Sequence, residues 1–256
     1  MFKFAVWILL VVTGAVFSNP TSDSEKFMIL NHFKIVDLTQ PLTENVPTWN
    51  GSCGFCIEIK KDYDQMFRVQ QVKMHAGVGT HMDAPSHRIQ GGISIADIPV
   101  EQLVVPICLI DVSDKAEADY EISMQDIQDH EAQYGVIPSN SLVIAYTGWG
   151  RFWMNAEAYR NMDAKGQMHF PAFSAESAEL LLQRNISGIA IDTLSPDCLD
   201  PEFTVHKLIL GAGKYIIENI GDCSQLPARA SYAIALPLRA ENSTESPMRI
   251  IALVPH

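Results

Sequence analysis

Gly79-Thr80-His81-Met82-Asp83-Ala84-Pro85-Ser86-His87 places two imidazoles and a carboxylate within seven residues. His81 and Asp83 are separated by one residue, so in extended backbone their side chains point the same way. Imidazole nitrogen and carboxylate oxygen are donors that zinc and manganese accept. Pro85 stiffens the turn that leads to His87, which leaves one imidazole to move protons. A metal beside a base is the minimum equipment for activating water. The competing reading is a polar loop in which Asp83 only caps a turn.

Working outward, Phe33–Leu38, Phe55–Ile59 and Phe67–Met74 read as strands before the motif. The third changes phase between Val69 and Val72, which a bulge at Gln70-Gln71 would reconcile. The motif itself is expected as a loop. After it, Leu103–Val112, Ser141–Ala145, Gly188–Asp192, Lys214–Ile217, Tyr232–Pro237 and Met248–Val254 read as strands. Ser123–Tyr134, Ser174–Gln183 and Pro201–Leu210 read as helices; the first two open on a serine with an acid in the next turn. Strands alternate with helices in the middle and dominate at the ends. The fold class is therefore α/β (α+β), a single domain on a central mixed sheet.

The 256 residues are 47% hydrophobic with a formal charge of −12. That composition supports a substantial core and argues against a nucleic-acid partner, because phosphate binding needs clustered Lys and Arg. Lys3 followed by the apolar run Phe4–Val16 has the form of an export signal too short to span a bilayer comfortably. The expectation is a signal peptide over residues 1–18, a mature domain over 19–256, a secreted or periplasmic location, and no membrane contact after signal removal. The five cysteines cannot all pair within one chain, and Cys53-Gly54-Phe55-Cys56 reads as a local disulfide or two unpaired thiols.

Beyond the motif, several separated stretches are similar to one family. Asp37-Leu38-Thr39-Gln40-Pro41-Leu42, Pro47-Thr48-Trp49 and the motif resemble the cyclase family, which contains bacterial-type kynurenine formamidase and isatin hydrolase. Gly91-Gly92-Ile93-Ser94-Ile95, Thr147-Gly148-Trp149, Phe170-Pro171-Ala172-Phe173-Ser174 and Ile191-Asp192-Thr193-Leu194-Ser195-Pro196-Asp197 continue the likeness in order. The resemblance implies a cyclase-type (swivelling β/β/α-like) fold and a divalent cofactor, Zn²⁺ or Mn²⁺. It implies His81, Asp83, His206 and Glu218 as metal ligands and His87 as the catalytic base. The family's first ligand group has the pattern His-x-Gly-Thr-His-x-Asp, and its first histidine falls here on Gly77, which has no side chain. His75, two residues earlier, is a candidate substitute. Trp49 and Trp149 are candidate walls for an aryl substrate.

The activity this implies is hydrolysis of an aryl formamide such as N-formylkynurenine, by metal-activated water with His87 as general base. The alternatives are an isatin-type cyclic amide or lactone hydrolase, or a secreted non-catalytic relative whose metal site is weakened at Gly77. A small-molecule substrate and a homo-oligomer complete the expectation.

Overall fold

The computed structural model describes residues 29–256; the export segment expected at 1–18 lies outside them. The first half of the chain supplies β1 (Phe33–Asp37), β2 (Phe55–Lys61), β3 (Val69–Met74), β4 (His81–Asp83), β5 (Val104–Asp111) and β6 (Glu121–Ile122). The second half supplies β7 (Leu142–Tyr146), β8 (Ala172–Phe173), β9 (Gly188–Ile191), β10 (Tyr215–Glu218), β11 (Ser231–Pro237) and β12 (Glu245–Pro255). Between them lie α1 (Met124–Tyr134), α2 (Ala156–Arg160), α3 (Ala175–Gln183) and α4 (Thr204–Gly211).

Eight of these strands form one mixed sheet in the order β1-β12-β11-β5-β7-β9-β10-β4, and β4 also pairs with β12. That second pairing bends the sheet into a barrel-like ring, with β1 on the outside of the closure. β5, β7, β9 and β10 run parallel, and the remaining pairs are antiparallel. The parallel strands are buried on both faces, as continuous apolar runs such as Val143-Ile144-Ala145 and Ile189-Ala190-Ile191 require. Alternation then sorts their side chains. Ile107 and Leu109 join Met82, Ile217 and Ile250 in the cluster enclosed by the ring. Cys108 and Ile110 join Ile216, Ile127, Leu181 and Ile209 under the helices. A third cluster gathers Trp149, Trp153, Tyr159 and Phe170 at one end.

The helix caps follow the sequence. The Ser123 hydroxyl accepts from the Asp126 amide, and the Asp126 carboxylate accepts from the Ser123 amide, closing a capping box on α1. Ser174 caps α3 by accepting from the Ser177 amide. Among the described residues no helix is long and apolar enough to cross a membrane.

Three expectations change. The motif is not all loop: His81–Asp83 is strand β4, drawn into the sheet between β10 and β12. The β2–β3 bulge falls at Lys60, between the Ile59 and Lys61 pairings, rather than at Gln70-Gln71. Every residue of β3 is exposed, so no buried face dictates the phase of that strand. α4 begins at Thr204 rather than Pro201, because Phe203 takes a left-handed backbone (φ 50°) that breaks the helical run. Of the two states left open for Cys53 and Cys56, the structure has unpaired thiols.

Candidate metal centre

The sheet register builds most of the site. In β4, His81 and Asp83 lie on one face while Met82 between them enters the enclosed core. Antiparallel pairing sets Glu218 of β10 directly across from His81 and Glu245 of β12 directly across from Asp83. Residues paired this way share a face of the sheet. Four ligand-type side chains from three strands therefore converge at one place. His81 Nε2 lies 3.3 Å from Asp83 Oδ1 and 3.3 Å from Glu218 Oε2.

The fifth side chain arrives from α4. Phe203, at the N-cap position, has no oxygen to cap the helix, so carboxylates upstream do it. Asp197 accepts from the amides of Val205 (2.8 Å) and His206 (3.0 Å), and Asp200 accepts from the amide of Thr204 (2.8 Å). The same Asp197 carboxylate lies 2.7 Å from His206 Nδ1. A carboxylate only accepts, so Nδ1 carries a hydrogen and Nε2 is the ring nitrogen left to face the cluster. That Nε2 faces Asp83 Oδ2 at 3.5 Å and Glu218 Oε1 at 3.3 Å. Carboxylate–imidazole pairs of this kind orient and strengthen histidine ligands.

His81 is held in the same way. Its Nδ1 donates to the Gly79 carbonyl (2.9 Å), which also accepts from Asn219 Nδ2 (3.0 Å). The Tyr159 hydroxyl in turn lies 3.0 Å from Asn219 Oδ1. Gly79 adopts φ 67° with Leu42 packed 2.3 Å from where a Cβ would sit, so a side chain here would meet both a left-handed backbone and the Leu42 methyl.

The charge balance suits a cation. Asp83 is 1% exposed, and neither of its carboxylate oxygens has a hydrogen-bond partner. A buried carboxylate left in that state is costly. Burial favours its neutral form, but the facing His206 and His81 imidazoles outweigh it and hold its pKa far below the usual range. Burial likewise disfavours charge on His206, and the Asp197, Asp83 and Glu218 carboxylates push its pKa up to about 12. Burial is overcome at His81 too, where Asp83 and Glu218 hold the pKa well above its ordinary value. Such a nitrogen–oxygen set fits a divalent ion, which would take the place of the protons that the two Nε2 atoms otherwise hold. Two overlapping groups have ligand atoms close enough to share one: Asp83, His87 and His206, and His81, Asp83 and Glu245.

His87 stands at the rim on the turn begun by Pro85, with its ring centroid 5.9 Å from that of His206. Its Nδ1 is 3.2 Å from Glu245 Oε2, and this contact raises the His87 pKa. A cavity of about 400 Å³ opens over the cluster, walled by Trp49, Arg88, Leu194 and Phe203. Trp49 is 47% exposed and packs against Phe203 and Phe170.

The structure thus gathers His81, Asp83, His206, Glu218, His87 and Trp49. It does not bring in Trp149, which is 4% exposed in the third core cluster with its indole N–H bonded to the Tyr159 carbonyl (2.9 Å). The buried Asp192 carboxylate ties down that turn by accepting from the Thr147 amide and hydroxyl. His75 also stays away: it is exposed, follows the β2–β3 hairpin, and lines no part of this cavity. Sequence reasoning missed Glu245, Phe203 and the supporting roles of Asp197 and Asn219. The empty position at Gly77 is the one local signal that a partner must come from elsewhere.

The family model described as putative cyclase matches residues 36–198, more than half of the chain. The chain belongs to the cyclase family. This cyclase-family hydrolase is 28% identical to isatin hydrolase of Roseibium aggregatum over 249 residues, 89% of this chain and 94% of the relative. It is 29% identical to kynurenine formamidase of Bacillus cereus over 220 residues, 84% of this chain and 95% of the relative. The solved isatin hydrolase A from Labrenzia aggregata, bound to benzyl benzoate, superposes with a TM-score of 0.82 at 30% identity, covering 91% of this chain and 98% of that one. A potential metal-dependent hydrolase with cyclase activity shares the fold, with a TM-score of 0.69 at 23% identity over 88% of this chain and 99% of that one.

Proposed function

We propose that this cyclase-family chain hydrolyses the amide C–N bond of a small aromatic amide, with an isatin-type cyclic amide favoured over an open aryl formamide such as N-formylkynurenine. The observation that carries the reading is Asp83: two buried carboxylate oxygens that make no hydrogen bond, set between Nε2 of His81 and Nε2 of His206, with Glu218 closing the ring. The preference for the cyclic substrate is supported by the isatin hydrolase, whose similarity covers 89% of the chain against 84% for the kynurenine formamidase.

His81, Asp83, His206 and Glu218 are the residues that would hold Zn²⁺ or Mn²⁺. Such an ion, when bound, supplies Lewis acidity and lowers the pKa of water from about 15.7 toward about 7. The protein's own groups do the rest. Trp49 and Phe203 flank the aryl ring, and the 400 Å³ cavity sets its size. His87 is held through Nδ1 by Glu245. Its Nε2 is then free to take a proton from the water that adds to the carbonyl carbon, and to return it to the nitrogen as the C–N bond breaks. Arg88 in the wall offers donors to the carboxylate that ring opening creates.

The test is a substrate panel containing isatin and N-formylkynurenine, run with native, chelator-stripped and Zn²⁺- or Mn²⁺-reloaded protein. The expected result is ring-opening activity that disappears with the metal and returns on reloading, and a His87→Ala variant slowed by about 10²–10⁴-fold. Full activity in stripped protein, or a wild-type rate in His87→Ala, refutes the mechanism. Stoichiometric metal with no turnover of any amide would favour the non-catalytic relative.

A further inference from the structure

Resting on the metal reading above, we propose that Glu245 is itself a metal ligand, its carboxylate reaching from β12 into the space that the absent side chain of Gly77 leaves beside His81. Three observations meet here. Register puts Glu245 directly across from Asp83. Its carboxylate, His81 and Asp83 form a group whose donor atoms lie within 4.8 Å of one another. A Cβ placed on Gly77 would fall 2.2 Å from Glu245 Oε1 and 3.3 Å from His81 Nε2.

The last observation explains the glycine. Gly77 is not among the glycines with positive φ, so its backbone does not call for it. What glycine provides is room: with Glu245 where it stands, a Cβ at 77 would overlap its carboxylate, and a side chain there would push that carboxylate away from the cluster. A side chain anchored at 77 and one anchored at 245 therefore aim at the same point. Exchanging an imidazole at 77 for a carboxylate from 245 keeps a donor there while moving its source to the far end of the chain.

The two oxygens of Glu245 divide their work. Oε2 lies 3.2 Å from His87 Nδ1, and Oε1 points toward Gly77 and His81. One carboxylate thus links the ion to the base. Replacing nitrogen by oxygen also hardens the donor set, because carboxylates suit manganese where imidazole suits zinc.

The experiment measures binding of Mn²⁺ alone and Zn²⁺ alone, by competition with a chromophoric chelator and by the Mn²⁺ electron paramagnetic resonance signal, in full-length protein without substrate. Removing a ligand should cost at least as much as disturbing an outer-shell partner, which is about 10–100-fold. Glu245→Gln should lose about 10-fold or more in Mn²⁺ affinity, and Glu245→Ala about 100-fold. The double variant Gly77→His, Glu245→Ala should recover Zn²⁺ binding to within about tenfold of wild type and recover Mn²⁺ less well. Thermal melts of the metal-free proteins check folding, and Glu245→Gln, which keeps the side-chain shape, stands in if the alanine variant does not fold.

Wild-type affinity for both ions in folded Glu245→Gln and Glu245→Ala overturns the proposal. A shifted pH–rate profile with unchanged affinity also overturns it, since Glu245 would then only position His87. The two readings separate cleanly. Wild-type protein that binds neither ion defeats the proposed function and this inference together, whereas wild-type binding unaffected at 245 defeats this inference alone.

Discussion

Replacing Asp197 by asparagine isolates what orients His206. The carboxylate accepts three hydrogen bonds: Val205 N–H to Oδ1 (2.8 Å), His206 N–H to Oδ2 (3.0 Å) and His206 Nδ1–H to Oδ2 (2.7 Å). Asparagine keeps one acceptor and turns the other oxygen into a donor. The amide oxygen can still cap α4, but the new NH₂ then faces the His206 amide and Nδ1. The imidazole can satisfy that donor only by moving its hydrogen to Nε2, the atom that faces Asp83 and Glu218. A lone pair needed for the ion is thereby lost. The metal cost should be about 10–100-fold in affinity, or roughly 1.4–2.8 kcal/mol. The stranded, buried His206 amide and the lost charge-assisted bond should remove a further ~2–4 kcal/mol from the stability of the metal-free protein. Chelator competition reads the first effect and urea unfolding of stripped protein the second. Asp200→Asn is the control. It touches the caps at Glu202 and Thr204 but not His206, so it should cost about 1 kcal/mol of stability and leave metal affinity unchanged. Asp197→Asn with wild-type metal affinity would refute the orienting role.

Three further outcomes are expected. Trp49→Ala should raise KM by about three- to tenfold with kcat nearly unchanged, since an aromatic contact at a pocket wall is worth about 0.5–1.5 kcal/mol; steady-state kinetics on the best substrate checks this, and an unchanged KM counts against the wall. Trp149→Ala should instead act on the fold, costing about 3–5 kcal/mol because it empties a buried site and strands the Tyr159 carbonyl, as measured by denaturant unfolding. At Asp126, burial favours the neutral carboxyl, but Lys115, Ser123 and Tyr120 outweigh it and hold the pKa below its usual 3.8. A depressed carboxyl pKa contributes stability that is complete above the unfolded value and is lost as pH falls through the folded one. Asp126→Asn should therefore be less stable than wild type at pH 7, by about 1–3 kcal/mol, and the gap should close below pH ~3.8; a gap independent of pH would contradict the ion-pair account.

Much of this molecule was legible in the chain. Continuous apolar runs at 142–145 and 188–191 gave strands, because a strand covered on both faces can be apolar throughout. Ser123 and Ser174 gave helix starts, because a side-chain oxygen must satisfy amides that the helix leaves open. His81-x-Asp83 gave two donors on one side, because alternation is a property of extended backbone. Each of these needs only its near neighbours along the chain.

What escaped was set by contacts between distant segments. Trp149 looked like a pocket wall until Asp192 folded its turn inward. α4 started late because Phe203 turned left-handed and Asp197 took over the capping. β12 begins before Pro247, a residue that in sequence marks a strand edge. That extension carries Glu245 opposite Asp83. Spacing along the polypeptide determined the kinds of donor and the fold class, since both follow from short-range geometry. Only ring closure, which pairs β4 with β10 and β12 at once, decided which carboxylates stand around His81, because strand register is a long-range choice made by the whole packed sheet.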